Sequence, residues 1–400
     1  MAFLGGMSTR RERWSERTNG YTVTPEQYLR VAYVALGALT LIVLSGAAVR
    51  LTGSGLGCPT WPKCYGEVYP PLNTHAVIEF SNRLITFPVS VAAGLAWLAA
   101  LRRRPYRRDL MWLGALLPLG VVAQAVLGGF TVRGALDYGW VMGHFALSML
   151  ILVAAVILVW RAAHEPEPEQ EEPGEQLARG ASSSAARQSG AETGATGLLD
   201  RRLVLAVRTL VGLAALTIFA GTAATAAGPH AGGSPGQKIN RMDFDGRGTM
   251  DFVIHRHAEI AFVFSLAAVA VWFLARRLAA PQRIRRPLTV LCVLLALQGF
   301  VGLDQYETHL PTELVWVHVG LAALTWLSVL WAACAAGRPR RQTLDDLQSV
   351  AMLDVLDDPG RSAARLRSRA TSAIHGTRLR QARSRDRGSL RGRARRCAVP

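Results

Sequence analysis

The chain has 400 residues, 50% of them hydrophobic, with 45 Lys and Arg against 28 Asp and Glu for a formal charge of +17. The apolar residues are gathered into blocks of about twenty, the length that crosses ~30 Å of hydrocarbon, which argues against a large soluble protein. Sixteen arginines and six aspartates lie from Arg338 onward, so +10 of the charge is a C-terminal tail; that tail has almost no aromatics to stack bases, which argues for solvent or anionic lipid and against nucleic acid.

In chain order the sequence predicts an N-terminal segment over 1–28 and then spans near 29–49, 76–101, 110–132 and 140–160, a first four-helix bundle within 29–161. Arg10, Arg11, Arg13 and Arg17 precede the first span with no apolar centre, so no cleavable signal peptide is expected. A Glu-, Gln-, Ser- and Gly-rich stretch marks a flexible linker over 162–202. Spans near 203–225, 252–275, 287–303 and 313–336 form a second bundle within 203–336, followed by a basic disordered tail over 337–400. The expected fold is thus all-α, a polytopic membrane protein of eight transmembrane helices in two tandem four-helix bundles. Arg102, Arg103, Arg104, Arg107 and Arg108 follow span two, and Arg276, Arg277, Arg283, Arg285 and Arg286 follow span six. By the positive-inside rule both termini, the linker and the tail are cytoplasmic.

The halves repeat. Gln124, Leu127-Gly128-Gly129-Phe130 and His144 are echoed by Gln298, Val301-Gly302-Leu303 and His318, with twenty residues between Gln and His in each. Ser45-Gly46-Ala47-Ala48 is likewise echoed by Ala220-Gly221-Thr222-Ala223. An even number of spans per unit gives both units one orientation, related by an axis along the membrane normal.

Ionisable residues inside spans are functional candidates, because stranding one in lipid costs at least ~2.5 kcal/mol. Glu79 and Arg83 lie at the outer end of span two, His144 opens span four, His255, His257 and Glu259 open span six, and His318 lies in span eight. Neutral imidazole is a good ligand for haem iron, and two facing helices can present one to each side of a porphyrin; His257 and His318 make such a pair, with His255 an alternative to His257. Zinc would need further ligands that the spacing does not supply. In the first half the partner of His144 falls on Asn82, since 82 to 144 is sixty-two residues and 257 to 318 is sixty-one. A carboxamide is a poor iron ligand, so that site is expected to be held by His144 alone, an open arrangement suited to a reacting or exchangeable haem.

Cys58 and Cys64 lie in the loop between spans one and two, on the non-cytoplasmic side where disulfides persist. A bridge there can be a structural staple or a redox-active pair. Cys292 and Cys334 lie in spans, as small core residues. His75, His164, His230, His309 and His375 fall outside the spans and receive no role.

Arg50-Leu51-Thr52-Gly53-Ser54-Gly55-Leu56-Gly57-Cys58-Pro59, Trp61-Pro62-Lys63-Cys64, Ile78-Glu79-Phe80 with Arg83, Gly143-His144, His257-Ala258 and Val317-His318 together resemble haem A synthases over roughly residues 30–336. The resemblance implies oxidation of the C8 methyl of haem O to a formyl group for cytochrome oxidase, in a bacterial plasma membrane. It implies a haem b on His257 and His318, the substrate haem in the first bundle, Glu79 as the catalytic carboxylate, and Cys58 with Cys64 as the outer-loop pair. Partners implied are haem O and haem A, membrane lipid, haem O synthase and oxidase assembly factors, with a homo-oligomer compatible. Many members have His where this chain has Asn82. A haem-binding electron-transfer subunit or thiol-quinone oxidoreductase would explain the histidines and Cys58 with Cys64 but would not need Glu79 or two unequal sites, and a haem carrier would explain a duplicated bundle but parallel repeats with rigid ligand pairs give no alternating path.

Overall fold

A computed structural model describes residues 21–165, 201–234, 236–244 and 248–337. The expected N-terminal segment up to residue 20, most of the linker and nearly all of the basic tail lie outside the described residues. Among the described residues eight helices are long and apolar enough to cross a membrane. They are α1 Pro25–Leu51, α2 Thr74–Arg102, α3 Arg108–Arg133, α4 Tyr138–Ala163, α5 Arg201–Ala227, α6 Thr249–Arg277, α7 Gln282–Glu307 and α8 Thr312–Ala336. Each contains its expected span and most overrun it by a few residues; in α1, α2 and α4 a polar cap extends the helix past the apolar block. Thr24 caps α1 with a reciprocal Gln27 side chain and Pro25 at the first helical position. Asn73 caps α2 and Asp137 caps α4. The block expected at 287–303 grows most, since α7 begins before Pro287, which sits in its first turns.

The helices pack as two rings of four, α1–α2–α3–α4 closed by α1 on α4, and α5–α6–α7–α8 closed by α5 on α8. The rings meet where α8 lies against α1 and α4 and where α4 touches α5. Small residues permit close approach: Ala93, Ala96 and Ala100 are fully buried on α2, and a Cβ on Gly114 of α3 would stand 3.2 Å from the Trp97 Cα. One apolar core runs through both rings, from Leu117 and Leu152 in the first to Phe264, Leu288 and Trp326 in the second. Leu84, Phe87, Leu119, Phe262, Phe300 and Leu303 remain exposed, the surface that hydrocarbon would cover.

The repeat reaches into the turns. The α3–α4 connection passes through left-handed Ala135 and Leu136, and the α7–α8 connection through left-handed His309 and Leu310, 174 residues later in each case. Two such non-glycine residues in succession cost of order 1 kcal/mol each, and the same device in both copies closes the hairpins identically.

Candidate functional site

The functional candidates gather at one end of the two rings, the end that carries the Cys58–Cys64 loop. In the second ring His257 of α6 faces His318 of α8, with ring centroids 6.2 Å apart and planes at 74°. Two imidazoles each about 2 Å from one metal have ring centres about 6 Å apart, so the pair fits an iron between them. His257 Nδ1 lies 3.0 Å from the Thr217 carbonyl of α5, an acceptor that keeps the proton on Nδ1 and presents Nε2 as the ligating nitrogen. Each ring is also backed by a glycine: an added Cβ would come within 3.1 Å of His257 Cε1 from Gly221, and within 3.3 Å of His318 Cε1 from Gly302. Any larger residue would push the rings. His255 does not join them; it is exposed, with Nδ1 on the Asp251 carbonyl at 2.6 Å and its ring edge on Tyr306. Glu259 is exposed and paired with Arg256. Of the two histidines that the sequence leaves open, only His257 has a partner ring on α8.

The first ring repeats half of this. His144 of α4 is backed by Gly128, whose Cβ would stand 3.4 Å from its Cε1. Gln124, one turn before Gly128, donates to the His144 carbonyl at 3.0 Å and to Ser148 Oγ at 2.5 Å. The Nδ1 atoms of His144 and His318 and the Oε1 atoms of Gln124 and Gln298 are buried without hydrogen bonds, matching unspent groups in the two rings. Asn82 of α2 stands where the second ring has His257, and its Oδ1 accepts from Ser45 Oγ at 2.7 Å. Ser45 Oγ is also 3.2 Å from the Ile42 carbonyl, the counterpart of the Thr217 carbonyl that holds His257.

Glu79 is 5% exposed and lies under the Cys loop. Its Oε2 accepts the Cys58 N–H at 2.7 Å, and its Oε1 accepts from Arg83 at 2.5 Å. The same guanidinium donates to the carbonyls of Cys58 and Thr60 at 2.9 Å each and stacks over Trp61, 5.1 Å from the ring centre. Cys58 and Cys64 are joined by a disulfide and fully buried with Ala76. Trp61 in turn abuts Gly129, where a Cβ would meet it at 2.7 Å. Two donors use only part of the four lone-pair sites of a carboxylate, leaving Glu79 fixed but able to accept a further proton or hydrogen bond.

Sequence reasoning undervalued several of these groups. Arg83 stands in the sequence as an ionisable residue near the boundary and as part of the resembling motif, without a role of its own, yet it ties Glu79 to the loop. His75 was set outside the spans but is the second residue of α2, with Nδ1 3.0 Å from the buried Ser54 Oγ. Arg103, read only as a charge that sets orientation, is fully buried, bonded to the Pro105 carbonyl and paired with Glu165. The matched glycines of the two copies were the available signal for the imidazole backing. Among the described residues no group of three or more His, Cys, Asp or Glu side chains converges as a metal-ion site; the facing imidazoles of His257 and His318 supply two nitrogen donors.

A sequence model described as "Cytochrome oxidase assembly protein" matches residues 29–330. Proteins named "Heme A synthase" are similar to part of the chain: one from Lysinibacillus sphaericus is 36% identical over 141 residues, which is 33% of this chain and 44% of that protein. One from Shouchella clausii is 34% identical over 142 residues, 34% of this chain and 46% of that protein. One from Bacillus licheniformis is 31% identical over 136 residues, 33% and 44%. The matched stretch spans less than half the length of these relatives.

Proposed function

The chain belongs to the family of cytochrome oxidase assembly proteins, and from that premise we propose that it is a haem A synthase, oxidising the C8 methyl of haem O to a formyl group. The observation that supports this reading is a repeated frame with unequal residues at matching places: facing His257 and His318 in the second ring, and in the first His144 on α4 and Asn82 on α2, with the buried Glu79 three residues before Asn82.

In the second ring His257 and His318 would hold a haem b, which when bound would supply one-electron transfer. The Thr217 carbonyl fixes the His257 tautomer, and Gly221 and Gly302 set the depth of the two rings. In the first ring His144 holds the substrate haem, with Gly128 behind it. Glu79 is the catalytic carboxylate: anchored by the Cys58 amide and Arg83, it orders water beside the methyl or stabilises positive charge developing at that carbon. The Cys58–Cys64 loop closes over this carboxylate and limits bulk water around it. The arginine-rich end of the helices faces the cytoplasm of a bacterial cell and the Cys loop faces outward. The test is to express the full chain with a haem O synthase and identify the extracted haems by mass. Haem A appearing only when the chain is present supports the assignment, and recovery of haem O alone from protein that carries its full haem complement overturns it.

A further inference from the structure

Four glycines occupy corresponding places behind the four ligand positions of the two rings. Three are filled by an imidazole edge: Gly128 by His144, Gly221 by His257 and Gly302 by His318, with Cβ-to-Cε1 distances of 3.4, 3.1 and 3.3 Å. The fourth is not, since a Cβ added to Gly46 meets no atom within 4 Å. Gly46 and Gly221 are 175 residues apart, as are Asn82 and His257. Where the second ring sets an imidazole against its glycine, the first sets a shorter carboxamide drawn onto Ser45, and the space over Gly46 stays open.

The carboxamide is also only partly used. A serine hydroxyl has one proton, and Ser45 Oγ has two acceptors in reach, Asn82 Oδ1 at 2.7 Å and the Ile42 carbonyl at 3.2 Å. If the proton goes to Asn82, the amide NH2 keeps both its donors; if it goes to Ile42, the hydroxyl oxygen accepts from the amide NH2 and the amide oxygen is left as an acceptor. Either way one polar end of Asn82 remains for a guest. Steric access and a hydrogen-bonding group opposite a single histidine are the features by which a haem pocket admits and holds a small ligand.

We propose that Gly46, Ser45 and Asn82 form a distal pocket for a small exogenous iron ligand, a diatomic molecule or one of similar size, bound opposite His144 and hydrogen-bonded by the Asn82 carboxamide. The proposal rests on the reading that His144 holds a haem. It makes the first site ligand-binding and the second, closed by two imidazoles, inert to the same molecule.

The test uses the full chain in nanodiscs, reduced and exposed to carbon monoxide, followed by optical and infrared spectra with haem content measured in parallel. The expected result is one carbon monoxide adduct per His144-dependent haem and none at the second site. Asn82→His should lose the adduct because an internal imidazole takes the position, and Gly46→Leu should lose it with haem content unchanged because its side chain fills the space. Asn82→Leu should keep the adduct but shift the C–O stretch to higher wavenumber, and Ser45→Ala should shift it in the same direction by less. A His144-dependent haem that takes up no carbon monoxide, or an unchanged stretch in Asn82→Leu, overturns the pocket. Haem content unaffected by His144→Ala would instead overturn the underlying reading, so the two failures are distinguishable.

Discussion

At the scale of single residues, the buried carboxylate of the first ring is itself held by a loop. Glu79 is bonded through one oxygen to the Cys58 amide and through the other to Arg83. Glu79→Gln keeps the volume and an acceptor but loses the charge; it should leave haem O bound and cut its conversion by about 10²-fold or more, read as the ratio of haem A to haem O in extracted membranes. Arg83→Ala should do something different. The pair is 13% and 6% exposed, and removing the cation leaves a nearly buried carboxylate uncompensated, a loss of about 3 kcal/mol. The expected outcome is a lower thermal unfolding midpoint than in Glu79→Gln, and recovery of much of that loss in the double variant. Glu79 was legible in the sequence because an acid in an apolar block stands out. The use of Arg83 was not, since its carbonyl acceptors come from a loop whose path depends on closure of the Cys58–Cys64 ring.

At the scale of helices, the histidines are placed by what lies behind them. α5 brings Gly221 and the Thr217 carbonyl to one side of the His257 ring, one turn apart. Gly221→Val should displace that imidazole and abolish a bis-histidine low-spin spectrum while the helices still assemble. Gly46→Ala, at the matching place in α1, has no atom to strike and should leave haem content unchanged; equal haem loss in both variants would refute the packing argument. The helix ranges were readable because twenty-residue apolar blocks have little other use. The ends were not, since Thr24, Asn73 and Asp137 extend the helices beyond the apolar stretch. Separation of 82 from 144 and of 257 from 318 gave the correspondence of Asn82 with His257, but the glycine spaces that make it consequential need the helices in contact.

At the scale of the molecule, the two rings form one body along α8. Trp326 is 4% exposed and donates from Nε1 to the Met149 carbonyl of α4 at 3.1 Å. Gly55 N–H donates to the Gly232 carbonyl, and Ser234 Oγ donates to the Gly53 carbonyl, so the outer loops are also stitched. Trp326→Ala should cost about 3–5 kcal/mol, seen as a lower midpoint of thermal unfolding for both sites together. If the Cys loop faces the oxidising side, Cys58 and Cys64 should resist thiol labelling until reductant is added; equal labelling without it would contradict the bond and the orientation together. The repeat was visible in the sequence as spacing, whereas the seam was not, because Trp326 and Met149 carry no motif and meet only through the ring closure.

The same seam has an electrical reading. Trp316, two residues before His318 on α8, donates its indole N–H to the Leu44 carbonyl at 3.0 Å, and Leu44 precedes Ser45, whose hydroxyl meets Asn82. Backbone and two hydrogen bonds therefore make a continuous bonded path from His318 in the second ring to Asn82 in the first. Charge tunnels through bonds more readily than through gaps, so redox groups held as proposed in the two rings would be joined by this path without a diffusing carrier. Trp316→Phe would keep an aromatic side chain and remove the N–H, taking away the hydrogen bond that joins α8 to α1 at this point.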